Sequence, residues 1–176
     1  MRADVWLSRP SRDDADEFIE AVRSSSSLQE PWVFPADTAE RFAAYLENAA
    51  RADRVSYLIR HAECGGLVGF ANISNIVRGA LQSGYLGYGA FVSHAGRGLM
   101  TAGLRAVLEA AFTNLGLHRV EANIQPDNSR SLAIARRLGF RREGFSPRYL
   151  YIDGEWRDHE RWALLAEDWA SSETAP

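Results

Sequence analysis

Residues 94–104 read His-Ala-Gly-Arg-Gly-Leu-Met-Thr-Ala-Gly-Leu, two glycines around an arginine just before a run of helical spacing. A turn of this kind aims its backbone amides, here from Gly96 to Thr101, at one point on the positive end of a helix dipole. That point suits a phosphate, and glycine permits the close approach that a Cβ would block. Two common phosphate loops do not fit. The P-loop ending of Lys then Ser or Thr is absent, because Leu99 and Met100 follow Gly98. The three-glycine dinucleotide spacing is absent too, and the turn follows a run of strands instead of opening a βαβ unit. Taken alone, the loop is equally a plain strand-to-helix turn that holds nothing.

A second group lies downstream, where Asn128 and Ser131 stand three apart at the start of a short helical run ending in Leu138-Gly139-Phe140. Just before it, Glu121 alternates with Asn123 and Gln125, a polar stripe on one face of a strand.

These residues need elements to hold them. Val5 and Leu7 alternate in a first strand, and Phe18, Ile19 and Val22 recur at helical spacing after Ser11. The serines and prolines of 24–35 break that helix, and Asp37 or Thr38 opens a second. Runs 55–61, 66–76 and 83–93 are β-branched and aromatic, divided by glycine turns, and read as three antiparallel strands. A helix from Leu99 follows, with Gly116 as its C-cap, then a strand, a short helix, and a hairpin over Asp153-Gly154. The order β-α-α-β-β-β-α-β-α-β-β is that of one α/β (α+β) domain over residues 1–170, with 171–176 as a disordered tail.

Composition narrows the classes. Hydrophobic residues make up 46% and charged residues 24%, with a formal net charge of -3, so no broad positive field favours nucleic acid. The single cysteine, Cys64, gives no disulfide framework, and the four histidines lack metal-ligand spacing. No apolar signal region or membrane span is present, so a cytoplasmic protein is expected, with no nucleic-acid or membrane partner.

Taken together, the motifs resemble the GNAT superfamily of N-acetyltransferases. The segment 96–101 stands where that family binds the pyrophosphate of acetyl-CoA, and 128–131 with the trailing 136–140 matches its second cofactor segment. The likeness runs through essentially the whole chain. Segments 69–80, 85–89, 96–101 and 149–164 are similar to the RimJ/RimL branch, and most to its RimJ type, which acetylates a ribosomal protein's N-terminal alanine. The resemblance implies a mixed, mostly antiparallel sheet of about seven strands flanked by four helices. It also implies acetyl-CoA as donor and direct attack by a primary amine through a tetrahedral intermediate. Three positions depart from the superfamily pattern: Ala95 for Gln or Arg, Met100 for Gly or Ala, and Ala135 for a tyrosine acid. The first two leave a backbone cradle intact.

The implied cofactor contacts are Phe91, Val92, Gly96, Arg97, Gly98, Leu99, Met100, Thr101, Asn128, Ser131 and Arg136, with Arg137, Arg141 and Arg142 competing for the phosphates. The oxyanion donor is expected from a backbone amide near Phe91 and Val92, where the fourth and fifth strands splay. Ser131 is the candidate acid for the departing thiolate, or else a hydroxyl that only bonds backbone or pantetheine. Glu121 is the candidate base, or else a salt-bridged strand carboxylate. For the acceptor wall the candidates are Glu30, Trp32, Phe34, Arg78, Tyr149 and Tyr151, against the alternative that the aromatics only pin their loops. The acceptor is a protein N-terminus or a small amine or antibiotic. A CoA-binding protein without catalysis is the rival from another class, and a homodimer is left open.

Overall fold

The computed structural model describes residues 4–173. Seven strands, β1 (Val5–Ser8), β2 (Val55–His61), β3 (Leu67–Val77), β4 (Ser83–Ala90), β5 (Arg119–Ile124), β6 (Arg141–Ile152) and β7 (Glu155–Leu165), form one sheet in the order β1-β2-β3-β4-β5-β7-β6. Every neighbouring pair is antiparallel except β4 and β5, which run parallel. The helices are α1 (Ala15–Ser24), α2 (Ser26–Gln29), α3 (Ala39–Ala49), α4 (Leu99–Thr113), α5 (Ser129–Arg137) and α6 (Ala166–Glu173).

The sheet is covered on both faces. Leu99, Leu104, Val107, Leu108 and Ala111 of α4 bury against Ile59, Ala71, Ile73, Leu86, Val120, Ala122 and Ile124 of the strands. Each fully buried side chain of this size contributes roughly 1.5–3 kcal/mol. Gly103 lets α4 lie close, since a Cβ there would come within 2.4 Å of Ile59. On the opposite face, Phe18, Ile19 and Val22 of α1 and Phe42 of α3 pack against Leu58, Phe70 and Phe91.

The three-strand meander and the last hairpin stand as expected. Asp153 (φ 49°) and Gly154 (φ 78°) both take positive φ, as a type I′ turn requires. Four expectations need correction. The serine run does more than break a helix, since 26–29 form the one-turn α2. Among the described residues there are six α-helices where four were expected, α6 being the other addition. Residues 171–173, placed in a tail, continue α6, while 174–176 lie outside the described residues. Finally, α4 closes at Asn114, and Gly116 (φ 60°) instead turns the chain toward β5.

The feature that makes a site is the short β4–β5 pairing. It holds only over Ser83–Tyr85 with Arg119–Glu121, after which the two strands part.

Candidate active site

The parting strands open a cleft of about 880 Å³, within the usual range for small-molecule sites. Its walls come from β4, β5, the 94–101 turn, α5, the α2 segment with Trp32 and Val33, and the final hairpin.

On one side, Gly96 (φ 75°) and Gly98 (φ 77°) stand at the N-terminus of α4, and no atom lies within 4 Å of where a Cβ would be. The open space beside both glycines is a cradle that a side chain would fill. Gly96, Gly98, Met100 and Thr101 line the cleft. Leu99 does not, being buried in the core, and Arg97 lies with its Nη1 3.4 Å from His94 Nδ1. Across from the loop, Asn128 caps α5 by accepting from the Ser131 backbone N–H at 3.1 Å. Asn128, Ser131, Arg130 and Arg137 line the cleft, and Arg137 Nη1 reaches Thr101 Oγ1 at 3.5 Å. Arg136 points elsewhere, its guanidinium 5.4 Å from the centre of the Trp162 ring. Tyr88 adds a second hydroxyl beside Ser131, donating to the Ser131 carbonyl at 3.3 Å, and burial pushes its phenol above the ordinary value.

The expected oxyanion amides are committed elsewhere. Phe91 N–H donates to Val68 O at 2.9 Å, and Val92 N–H to the buried Ser25 Oγ, also at 2.9 Å. Gln29, also buried, donates from Nε2 to the Ala90 carbonyl at 3.0 Å. Alternation along an antiparallel strand then decides which amides are free. Phe91 bonds toward β3, so residues 89 and 87 do as well, and the N–H groups of Tyr88 and Ala90 turn toward the gap.

On the acceptor side, Trp32 lines the cleft, while Glu30, Phe34, Arg78, Tyr149 and Tyr151 do not. Arg78 donates to Leu115 O at 2.5 Å, far from the opening, and the Phe34 carbonyl accepts from Arg41 at 3.0 Å. Tyr151 is exposed against Trp156. In β6 a register shift between Ser146 and Leu150, with Arg148 at φ 49°, presents Leu150 and Ile152 to the cleft instead of the tyrosines. Tyr149 sits edge-on to His159, ring centres 6.2 Å apart.

Glu121 sits at the closed end, opposite Tyr85 in the last β4–β5 pair, and does not line the cleft. It accepts from Arg119 Nε at 2.8 Å, and the same guanidinium also holds Glu143, keeping that carboxyl below the usual range. No carboxylate, lysine or cysteine lines the cleft among the described residues. Its ionisable side chains are Tyr88, His94, Arg130, Arg137 and His159.

A family model described as an acetyltransferase (GNAT) domain matches residues 4–141. The chain belongs to the GNAT acetyltransferase family. It is 35% identical over 129 residues to a probable N-acetyltransferase, YjcK, of Bacillus subtilis, covering 73% of this chain and 71% of that one. It is 44% identical over 103 residues to the Escherichia coli alanine N-acetyltransferase of ribosomal protein uS5, covering 58% of this chain and about half (53%) of the relative. Among solved structures, Mycobacterium smegmatis RimJ in complex with CoA-disulfide superposes with a TM-score of 0.83 at 30% identity, over 96% of this chain and 89% of that one. GNAT acetyltransferases use acetyl-CoA, and the glycine cradle and cleft arginines of this member are of the right chemistry for its phosphates.

His159, Tyr88 and Arg130 are cleft residues that sequence reasoning missed. His159 reaches the cleft through the pairing of the last two strands beside β5, which no local signal announces.

Proposed function

We propose that this GNAT member moves the acetyl group of acetyl-CoA to the N-terminal α-amine of a protein, with a ribosomal protein as the acceptor. The observation that carries this reading is the chemistry of the cleft wall, which offers no carboxylate or lysine and only weak bases. A protein α-amine has a pKa near about 7.8 against about 10.4 for lysine, so freeing a lysine costs roughly 3.5 kcal/mol more at the same pH. A weakly basic site therefore suits an α-amine. The 44% identity to the uS5-alanine enzyme supports the same choice.

When bound, acetyl-CoA supplies the thioester carbonyl and the thiolate leaving group. The amides from Gly96 to Thr101 would hold its pyrophosphate, with Arg130 and Arg137 adding charge. The N–H groups of Tyr88 and Ala90, turned into the gap, are placed to stabilise developing negative charge on oxygen. The Ser131 hydroxyl, on the cleft wall, would return a proton to the thiolate, and the Tyr88 hydroxyl donates to the Ser131 carbonyl. Trp32, Leu150 and Ile152 form the apolar wall for the acceptor chain.

Release of CoA from acetyl-CoA across an acceptor panel tests this. Turnover is expected on free Ala- and Ser-starting peptides and not on Nα-blocked lysine peptides. A preference for spermidine or other small amines would move the acceptor to that class, and tight CoA binding without turnover on any amine would favour a binding protein.

A further inference from the structure

We propose that His159 is the general base of this cleft, its Nε2 taking the proton of the attacking amine. The proposal deepens the acetyl-transfer reading above and rests on it.

The tautomer comes first. His159 Nδ1 lies 3.0 Å from the Arg157 carbonyl, which can only accept, so in the neutral ring Nδ1 carries the hydrogen and Nε2 the lone pair. Nε2 has no hydrogen-bond partner among the described residues, and it is not one of the sealed, unpartnered polar atoms. The residue is only 2% exposed and still forms part of the cleft wall, so its remaining access is to the cleft.

The rival bases are placed less well. Glu121 is held by Arg119 at the closed end. His94 stands beside the glycine loop, stacked on His61 with ring centres 5.2 Å apart and Arg97 at its Nδ1, where the cofactor's phosphates belong. On the acceptor side, Asn123 pairs with Arg161 across β5 and β7, and continuing that register sets Gln125 beside His159. Asn123 and Gln125 line the cleft on this side as neutral amides, so no second base competes there.

On its own strand Arg157 and Arg161 share the face of His159 and Asp158 adjoins it, the Arg157 carbonyl accepting from Nδ1; from β6 comes the Tyr149 ring edge, and from the β5 side the neutral Asn123 and Gln125. Burial holds the imidazole below its ordinary value, with the Arg157 carbonyl and Asp158 acting in the opposite sense. The sign follows. The neutral base is fully present above the ordinary value of about 6.5 and is lost as pH falls through the lowered one.

In the step itself, the amine nitrogen bonds to the acetyl carbon and the carbonyl pair moves onto oxygen; as the carbonyl re-forms, the C–S bond breaks and the sulfur keeps that electron pair. His159 Nε2 takes the nitrogen's proton and passes it to water. The Ser131 hydroxyl gives its proton to the thiolate and regains one from water, leaving amide and free CoA with charge and atoms balanced.

The test compares wild type and His159→Gln on an Ala-starting peptide, with CoA binding and thermal melting measured alongside. The expected result is a loss of about a hundredfold or more in kcat, unchanged CoA affinity, a residual rate that climbs with pH, and partial rescue by added imidazole. Should the variant fold poorly, histidine NMR on the wild-type protein decides. The midpoint of His159 titration must then coincide with the acidic limb of kcat. An H159Q enzyme with wild-type kcat and the same acidic limb, or a titration that misses the limb, overturns the base. A wild type inactive on every free amine overturns the acetyl-transfer reading and the base with it.

Discussion

Arg136 and Arg137 are adjacent in sequence and have different fates, because successive helical residues point about 100° apart. Arg137 faces the cleft beside Thr101, while Arg136 lies over Trp162. Arg137→Ala is therefore expected to weaken CoA binding roughly tenfold, about 1.4 kcal/mol, as measured by calorimetry. Arg136→Ala should leave CoA binding unchanged and lower stability by about 0.5–1 kcal/mol through the lost ring contact. The opposite ranking would reverse the assignment of the two. Local residue roles were legible where the chemistry is local. The Asn128–Ser131 pair at a helix start and the two loop glycines follow from neighbours in sequence. His159 was not legible, because its tautomer depends on a carbonyl two residues back and its place on a partner strand.

At the scale of elements, the cleft depends on how strands and helix ends are aimed. Gly98 occupies the N-cap of α4 with left-handed backbone and open space around it. Gly98→Trp should therefore fold, with a penalty of about 1–2 kcal/mol for the positive φ and a melting point lower by about 2–8 °C. Its CoA binding should be lost, because the indole would occupy the phosphate cradle. Undiminished CoA affinity in a folded G98W protein would move the pyrophosphate to another part of the cleft. Strand direction explains two misreadings from sequence. The Phe91 and Val92 amides looked available until Val68 and Ser25 were seen to take them. Tyr149 and Tyr151 stay out of the cleft because a register shift between Ser146 and Leu150, which no residue type announces, turns Leu150 and Ile152 to it instead.

Across the whole molecule, the sheet divides the chemistry. The helices that frame the glycine loop and the Asn128 cap, α4 and α5, pack in the larger core, while α1 and α3 cover the other face with Phe18 and Phe42. The β2–β3–β4 meander and the β6–β7 hairpin were legible from glycine turns and apolar alternation, whereas the parallel β4–β5 pairing and the place of β7 beside β5 rest on contacts distant in sequence. What the cleft accepts was not, since the acceptor wall is assembled from α2, β5, β6 and β7, which only tertiary packing brings together. The central claim is that this wall selects an α-amine. The most direct measurement supplies the enzyme and acetyl-CoA with one peptide that begins with alanine and carries an internal lysine, and locates the acetyl group by tandem mass spectrometry. The expected product carries it on the alanine nitrogen alone. An acetyl group on the lysine, with the alanine nitrogen left free, would contradict the account.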